Sequence, residues 1–210
     1  MRIIAGQSRG TVLETLDGED TRPTLERVKE NFFNAINFDI PGAKVLDLFA
    51  GSGQLGLEAL SRGAKEAVFV DSNTECVDII RKNAQKAKLY DKCNIYKYDY
   101  SEYLSGLKKR KDSPRTKFEA KFDIIFLDPP YEPGGRKIND CVKKLLKYEF
   151  VSNGGFIICE TGNGEQLNLD LSGELSEKIK KKRIYKYGKV YITVLIIEIK
   201  EGEQDEENKE

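Results

Sequence analysis

The sequence contains no histidine. Histidine is the side chain whose ordinary pKa lies closest to neutral pH, so its absence excludes Ser-His and Cys-His catalysis and removes the usual general base. Any chemistry that this chain performs must therefore proceed without imidazole.

Paired cysteines and long apolar runs are also absent. The four cysteines lie far apart, form no C-x-x-C pair and have no histidine with which to complete a zinc site. No apolar run approaches the roughly 20 residues that span a bilayer, and the start, MRIIAGQSRG, lacks the apolar core of a signal peptide. We expect reduced thiols, no metal, no membrane contact, a cytoplasmic location and a monomer.

Charge is balanced over the chain but not along it. Basic and acidic residues each number 35, yet the last ten residues, EGEQDEENKE, hold six acids and one lysine, which leaves a net charge of +5 on residues 1–200. Residues 108–117 and 178–189 are basic clusters, and the second contains two tyrosines. Basic residues interleaved with aromatic ones suit a nucleic-acid backbone with exposed bases. The alternative is a solvated loop and an edge strand whose lysines discourage aggregation.

From residue 44 onward, short apolar segments alternate with segments of helical period, which is typical of βαβ units and a parallel sheet. The predicted strands are residues 44–49, 66–71, 94–99, 155–160, 183–187 and 190–199, with a further run from residue 122 that ends at two prolines. Gly154 and Gly155 predict a break before residues 155–160. Gly188 and Lys189 predict a hairpin turn, so the sheet is expected to end with an antiparallel pair.

The N-terminal pattern is different. AGQSRG between two short apolar segments predicts a hairpin, and a helical stripe follows Pro23 at Leu25, Val28, Phe32 and Ile36. We expect a hairpin and helix extension over residues 1–40, an α/β domain over residues 41–200 and a disordered acidic tail over residues 201–210.

Residues 51–56, GSGQLG, match G-x-G-x-x-G at the end of the first predicted parallel strand, where an open α/β sheet binds its ligand. Asp71 follows Gly51 by 20 residues, at a distance where a carboxylate can accept the ribose hydroxyls of any nucleotide cofactor. Asp47 distinguishes the cofactors, because a carboxylate there repels a pyrophosphate but attracts the ammonium and sulfonium of S-adenosylmethionine. The alternative for Asp47 is a cap for the loop or the next helix.

The third predicted strand ends at Asp99 and Tyr100, where a loop could meet an adenine ring. Asp99 could accept from the adenine amine and Tyr100 could offer apolar surface, although Asp99 could equally be a helix N-cap. The predicted cofactor contacts are Asp47, Ala50, Gly51, Gly53, Asp71, Ser72, Asp99 and Tyr100.

LDPPY ends the fourth predicted parallel strand and supplies groups that suit a planar amine. Asp128 can accept one N–H of a nucleobase amine and the Pro129 carbonyl can accept the other, while Pro130 fixes the turn and Tyr131 stacks on the base. The lone pair is then directed at the methyl donor, and the proton leaves only after attack, so no strong base is required. The alternative is an ordinary turn, since Asp and Pro both favour turns.

The chain resembles the bacterial 16S rRNA guanine-N2 methyltransferases of the RsmD type. The resemblance covers nearly the whole chain, through MRIIAGQSRG, TRPTLERVKENFFNAI, VLDLFAGSGQLGLEALSRGA, VFVDSN, FLDPPY and YGKVYITVL. Two features depart from the family pattern: Asp71 stands where the family often has Glu, and KKRKDSPRTKFEA lengthens the connection before the fourth parallel strand. The longer connection is either an additional RNA contact or a charged surface loop.

The resemblance implies a Rossmann-like class I methyltransferase fold, α/β, with a mostly parallel seven-stranded sheet and an antiparallel final strand. It also implies S-adenosylmethionine as cofactor and a guanine of 16S rRNA as substrate. We expect this rRNA to lie in an assembling small ribosomal subunit, with naked rRNA as the alternative. The expected RNA contacts are Arg9, Arg22, Lys180, Lys181, Lys182, Arg183 and Lys189. The alternatives are DNA adenine N6 or protein glutamine methylation, or a non-catalytic RNA-binding assembly factor.

Overall fold

The computed structural model describes residues 1–16, 23–113, 121–130 and 132–199, with side chains in the first helix described from Lys29 onward. The strands are β1 Lys44–Asp47, β2 Glu66–Asp71, β3 Cys93–Lys97, β4 Phe122–Leu127, β5 Val151–Thr161, β6 Ile179–Tyr187 and β7 Val190–Ile197. The helices are α1 Pro23–Ala35, α2 Gln54–Ser61, α3 Thr74–Lys86, α4 Tyr100–Lys111, α5 Arg136–Lys147 and α6 Glu174–Glu177.

The strands form one seven-stranded sheet in the order β3-β2-β1-β4-β5-β7-β6. Strands β1 to β5 pair in parallel, while β7 pairs antiparallel with both β5 and β6. The order along the chain reverses between β1 and β4, which is where ligands bind in such sheets. The expected mostly parallel sheet with an antiparallel final strand is confirmed.

Apolar side chains on the two faces of the sheet form two cores. Phe32 and Phe33 of α1 pack with α2, α3 and Phe126 on one face, whereas α4 and α5 cover the other face around Ile125 and Leu127. The central strands read as continuous apolar runs because helices cover both faces. Phe32 and Ile36 of the predicted stripe are buried, whereas the side chains of Leu25 and Val28 lie outside the described ones.

The N-terminal hairpin is confirmed, with Arg2 and Val12 paired antiparallel. Its first strand docks on α2 through the buried carboxylate of Glu58, which accepts hydrogen bonds from the Ile4 amide at 2.7 Å and the Ala5 amide at 3.1 Å. Gly6 has a positive φ, and a Cβ there would lie 1.9 Å from the Ser61 carbonyl oxygen. The extension therefore packs directly against the helix that follows the glycine loop.

Two local predictions were wrong. Gly154 and Gly155 lie inside β5, where the pairing of β4 with β5 shifts register, because a bulge absorbs the glycines without ending the strand. Residues 108–111 of the basic cluster are interpreted from the sequence as part of a loop, but they form the last turn of α4, where positive charge interacts favourably with the helix dipole. Residues 114–117 of that cluster and the tail at 201–210 lie outside the described residues.

Among the residues described, no helix is long and apolar enough to cross a membrane.

Candidate active site

A cavity of about 450 Å³ opens at the carboxyl edge of the sheet, where the loops after β1, β2, β3 and β4 meet. It contacts most of the residues that the sequence assigns to the cofactor and to LDPPY: Asp47, Ala50, Gly51, Asp71, Ser72, Asp99, Tyr100, Asp128, Pro129 and Pro130. Its volume falls in the range of cofactor pockets. Gly53 is not in the lining, and Tyr131 lies outside the described residues.

The glycine loop forms a tight turn under this cavity. Gly51 and Gly53 have φ values of 52° and 79°, a region that disfavours residues with a side chain, and the Gly53 amide donates to the Ala50 carbonyl at 2.6 Å. Gly56 has a different function, because a Cβ there would lie 2.3 Å from the Phe69 ring. The first two glycines thus shape the turn, and the third allows α2 to pack closely against β2.

The two carboxylate oxygens of Asp47 have different environments. Oδ2 accepts a hydrogen bond from the Gly56 amide at 3.0 Å, so Asp47 does hold the first turn of α2, as the alternative interpretation expected. Oδ1 is buried and has no hydrogen-bond partner among the described residues. Burial, and to a lesser degree the charge of Asp71, raises the pKa of Asp47 to about 7, although the Gly56 amide lowers it. An unpartnered carboxylate oxygen at a cavity fits a cationic ligand group.

Asp71 connects the second strand to the glycine loop. Its two carboxylate oxygens accept hydrogen bonds from the Gly51 amide and the Asn73 amide, each at 2.8 Å. Each oxygen keeps a second lone pair, with which it can accept from a ribose hydroxyl. The side chain is therefore held in place by the protein before any ligand arrives.

Asp99 is the N-cap of α4, because its carboxylate accepts a hydrogen bond from the Ser101 amide at 2.8 Å. It also lines the cavity, so the two alternatives for this residue are compatible. The Tyr100 ring lies 5.3 Å from the Phe49 ring, and both rings line the cavity. The sequence interpretation missed Phe49, although it lies only two residues after Asp47.

A second cavity of about 240 Å³ lies on the other side of Asp128, Pro129 and Pro130, which line both cavities. The ends of β4 and β5 and the start of α5 form its walls. Three further carboxylates line it, those of Glu132, Glu160 and Glu165. Such a pocket repels a phosphate and favours a ligand edge that is rich in hydrogen-bond donors.

A family model described as "Conserved hypothetical protein 95" matches residues 1–196 of the chain. The chain belongs to this family.

Relatives in the family are named as rRNA methyltransferases. A putative rRNA methyltransferase of Bacillus subtilis is 37% identical over 160 residues, which cover 76% of this chain and 82% of the relative. The ribosomal RNA small subunit methyltransferase D of Haemophilus influenzae is 40% identical over 133 residues, which cover 62% of this chain and 64% of the relative. The expected RsmD-type family and methyltransferase class are thus confirmed.

Solved structures confirm the expected Rossmann-like methyltransferase fold. A putative methyltransferase from Escherichia coli is similar with a TM-score of 0.70 and 26% identity, over 94% of this chain and 98% of that one. A 16S rRNA N2 methyltransferase of Thermus thermophilus, solved with AdoMet and guanosine, is similar with a TM-score of 0.62. That similarity has 22% identity and covers 87% of this chain and 45% of the other, and it concerns the fold alone.

The N-terminal extension of this family member reaches the first cavity, which the sequence interpretation missed. Met1 and Leu16 are part of its lining. The buried Asn83 of α3 donates hydrogen bonds to the carbonyls of Glu14 and Ser52, both at 2.9 Å, and its Oδ1 accepts from the Glu14 amide at 2.8 Å. Asn83 thereby connects the extension to the glycine loop.

The predicted RNA contacts lie at different edges of the molecule. Lys189 lies in the β6–β7 turn at the carboxyl edge, and its carbonyl accepts from the Gly164 amide at 2.8 Å, beside the second cavity. Arg9 lies with Lys86 and Lys88 around an open hollow, where α3 ends at the opposite edge. Arg22 lies outside the described residues.

Four of the predicted RNA contacts lie on β6, the strand at the edge of the sheet, where they are exposed: Lys180, Lys181, Lys182 and Arg183. Lys180 forms an ion pair with Glu198 at 2.5 Å, and Lys182 donates to the Leu167 carbonyl at 3.4 Å. Glu198 thus offsets the positive charge of Lys180, whereas Lys182 keeps its full charge. Within the described residues, no group of three or more acidic or cysteine side chains could hold a metal.

Proposed function

We propose that this protein transfers a methyl group from S-adenosylmethionine to the exocyclic N2 amine of a guanine in 16S rRNA. The observation that carries the proposal is the shared wall formed by Asp128, Pro129 and Pro130. On one side lies a cavity of cofactor size, and on the other lies a smaller, acidic cavity. A donor and an acceptor bound in these two cavities would meet at that wall.

The residues around the first cavity fit S-adenosylmethionine, which supplies an electrophilic methyl group on a sulfonium when it is bound. The unpartnered oxygen of Asp47 would face the cationic end, since the carboxylate otherwise remains buried without compensation. Asp71 would accept the ribose hydroxyls. The rings of Phe49 and Tyr100 would offer apolar surface to the adenine.

In the second cavity, Asp128 and the Pro129 carbonyl would accept the two N–H groups of the guanine amine. This amine is a weak nucleophile because its lone pair is delocalised into the ring. Two acceptors favour the tetrahedral form of the nitrogen and direct its lone pair toward the first cavity. The nitrogen becomes acidic only after attack, so Asp128 or a water can take the proton and no imidazole is required.

The substrate in this proposal is an rRNA base that has left its stack, because the second cavity has room for a base but its carboxylates repel phosphates. The named relatives support rRNA, and small-subunit relatives support 16S rRNA. We include in the proposal an assembling small subunit as the natural substrate, a monomeric enzyme and a cytoplasmic location. The basic residues on β6 and Lys189 would contact the RNA backbone.

A tritiated-methyl assay tests the proposal on deproteinised rRNA and on partly assembled small subunits, followed by mapping of the modified base. We expect label on the N2 amine of one guanine of 16S rRNA. Label on adenine, DNA or a protein glutamine would contradict the substrate. No transfer together with no S-adenosylmethionine binding would favour a non-catalytic assembly factor.

Asp128→Asn tests the role of the wall. This change keeps the size of the side chain but replaces one carboxylate acceptor with an amide, so we expect methyl transfer to fall by at least about 100-fold. S-adenosylmethionine affinity, measured by calorimetry, should change little. The control is Asp91→Asn, which removes an exposed carboxylate before β3. Full turnover in the Asp128 variant would contradict the assigned role.

A further inference from the structure

Glu160 occupies a position on β5 that corresponds to Asp128 on β4. Leu127 of β4 pairs in parallel register with Cys159 of β5, so Asp128 and Glu160 are the next residues on the two neighbouring strands. Leu127 and Cys159 both belong to the core under α4 and α5. Because side chains alternate along a strand, Glu160 of β5 lies on the opposite face from Cys159, and Asp128 follows the end of the neighbouring strand.

Glu160 lines the second cavity together with Asp128. Burial raises the pKa of Glu160 to about 6, and the attraction of Lys29 lowers it by less. Lys29 itself is only 3% exposed, and its ammonium donates a hydrogen bond to Gln54 Oε1. Burial therefore makes the charged carboxylate of Glu160 costly in free energy, and a hydrogen-bond donor on a ligand would lower that cost.

Guanine presents such a donor next to its N2 amine. Its N1 carries a hydrogen, whereas N1 of adenine and N1 of 2-aminopurine carry a lone pair at the same ring position. If Asp128 and the Pro129 carbonyl hold the N2 amine, the acceptor on the neighbouring strand β5, Glu160, is next to the adjacent ring position, N1.

We propose that Glu160 determines the specificity for guanine by accepting a hydrogen bond from its N1–H in the second cavity. This inference rests on the proposed function and deepens it. A base with a lone pair at N1 faces the carboxylate oxygen of Glu160 and is repelled, even if it carries an amine where guanine has N2. The positive charge of Lys29 favours the ionised, accepting form of Glu160, against the effect of burial.

The test compares guanine with 2-aminopurine at the rRNA position mapped by the tritiated-methyl assay. 2-Aminopurine keeps the exocyclic amine that receives the methyl group but lacks the N1–H and the O6 oxygen. Methyl transfer is measured as kcat/KM on both RNAs at pH 8, where Glu160 is ionised. The proteins are the wild type, Glu160→Gln and Glu160→Ala, with Glu66→Gln as a control for loss of a carboxylate at the distant amino end of β2.

We expect the preference of the wild type for guanine to fall by roughly 10- to 100-fold in Glu160→Gln, because one well-placed hydrogen bond to a base edge gives discrimination of this size. The amide of the glutamine can donate to the N1 lone pair, so this variant should retain more activity on 2-aminopurine than Glu160→Ala. If Glu160 had only a structural role, its replacement would lower kcat/KM for guanine and for 2-aminopurine alike. The missing O6 affects all variants equally and cancels in the comparison.

Two results separate failure of this inference from failure of the proposed function. If the wild type methylates guanine and the preference stays within about twofold in Glu160→Gln, Glu160 does not recognise N1–H. If the wild type methylates no guanine in any rRNA, both proposals are wrong. Glu160→Gln has nearly the shape of the native residue, so it decides the question even if Glu160→Ala does not fold. S-adenosylmethionine affinity should be unchanged in both variants.

Discussion

Replacing Asp47 with asparagine should remove most of the loss of stability that the ligand-free protein shows between pH 5 and pH 8, while weakening cofactor binding. Burial raises the pKa of Asp47 from its ordinary 3.8 to about 7, so the folded state binds its proton more tightly than the unfolded state does. Between these two values the free energy of unfolding must fall as the pH rises. One pKa unit is worth about 1.4 kcal/mol, so the loss between pH 5 and pH 8 is about 3 kcal/mol.

Asparagine does not titrate, so Asp47→Asn escapes this loss. Its Oδ1 can still accept from the Gly56 amide, but its NH₂ group replaces the unpartnered oxygen and costs about 1–3 kcal/mol. This cost is independent of pH and does not affect the comparison. The variant should therefore gain about 3 kcal/mol relative to the wild type between pH 5 and pH 8. For a chain of this length, that corresponds to about 6–12 °C in Tm.

The measurement is denaturant and thermal unfolding of both ligand-free proteins at pH 5 and pH 8. All other titrating groups are common to the two proteins, so the difference between them isolates Asp47. An equal difference at the two pH values would refute the argument from burial. Calorimetry at pH 8 should show S-adenosylmethionine binding at least about 10-fold more weakly to the variant, since a carboxylate facing a cation has been lost.

Two further predictions concern the supports of the site. Gly56→Ala should destabilise the fold by about 1–3 kcal/mol, because its Cβ would overlap the Phe69 ring. Gly106→Ala on α4 meets open space and should stabilise the fold by up to about 1 kcal/mol. Chemical denaturation measures the free energy of unfolding of both variants. Asp99→Ala should lower the free energy of unfolding by about 1 kcal/mol, because it removes the cap on the Ser101 amide. Asp99→Asn should lower it much less, since asparagine can still cap. Equal losses of stability in the two variants would show that the charge of Asp99, not its capping bond, is the source.

Much of the fold could be predicted because local patterns and the topology rules agree. Alternating apolar and helical segments fix a parallel sheet, and each predicted strand has a counterpart in the structure. The errors come from information that is not local. Whether Gly154 and Gly155 end a strand or form a bulge depends on how Phe122 and Ile124 of β4 pair with β5, and the segment itself does not contain that information.

The site divides in the same way. The position of Asp47, Gly51 and Asp71 at the cavity could be predicted because they belong to contiguous motifs at the ends of predicted strands. Asn83 and Met1 could not, because only long-range packing brings Asn83 of α3 to the glycine loop and Met1 of the N-terminal hairpin to the cavity. Their sequence neighbourhoods contain nothing that distinguishes them from ordinary helix or terminal residues.

A rule about strand ends would have found Glu160. Strands β1, β2 and β4 lead into Asp47, Asp71 and Asp128, and the predicted strand GFIICE ends in Glu160 in the same manner. The carboxyl ends of parallel strands share one edge, so an acid at the end of each strand concentrates negative charge there. The partners of each acid then decide its role: backbone amides fix Asp47 and Asp71, whereas the charge of Lys29 acts on Glu160. The two cavities at this edge therefore favour a cationic cofactor and a donor-rich base over a phosphate, so in the proposed complex the RNA backbone is held outside them, by Lys189 and the basic residues on β6.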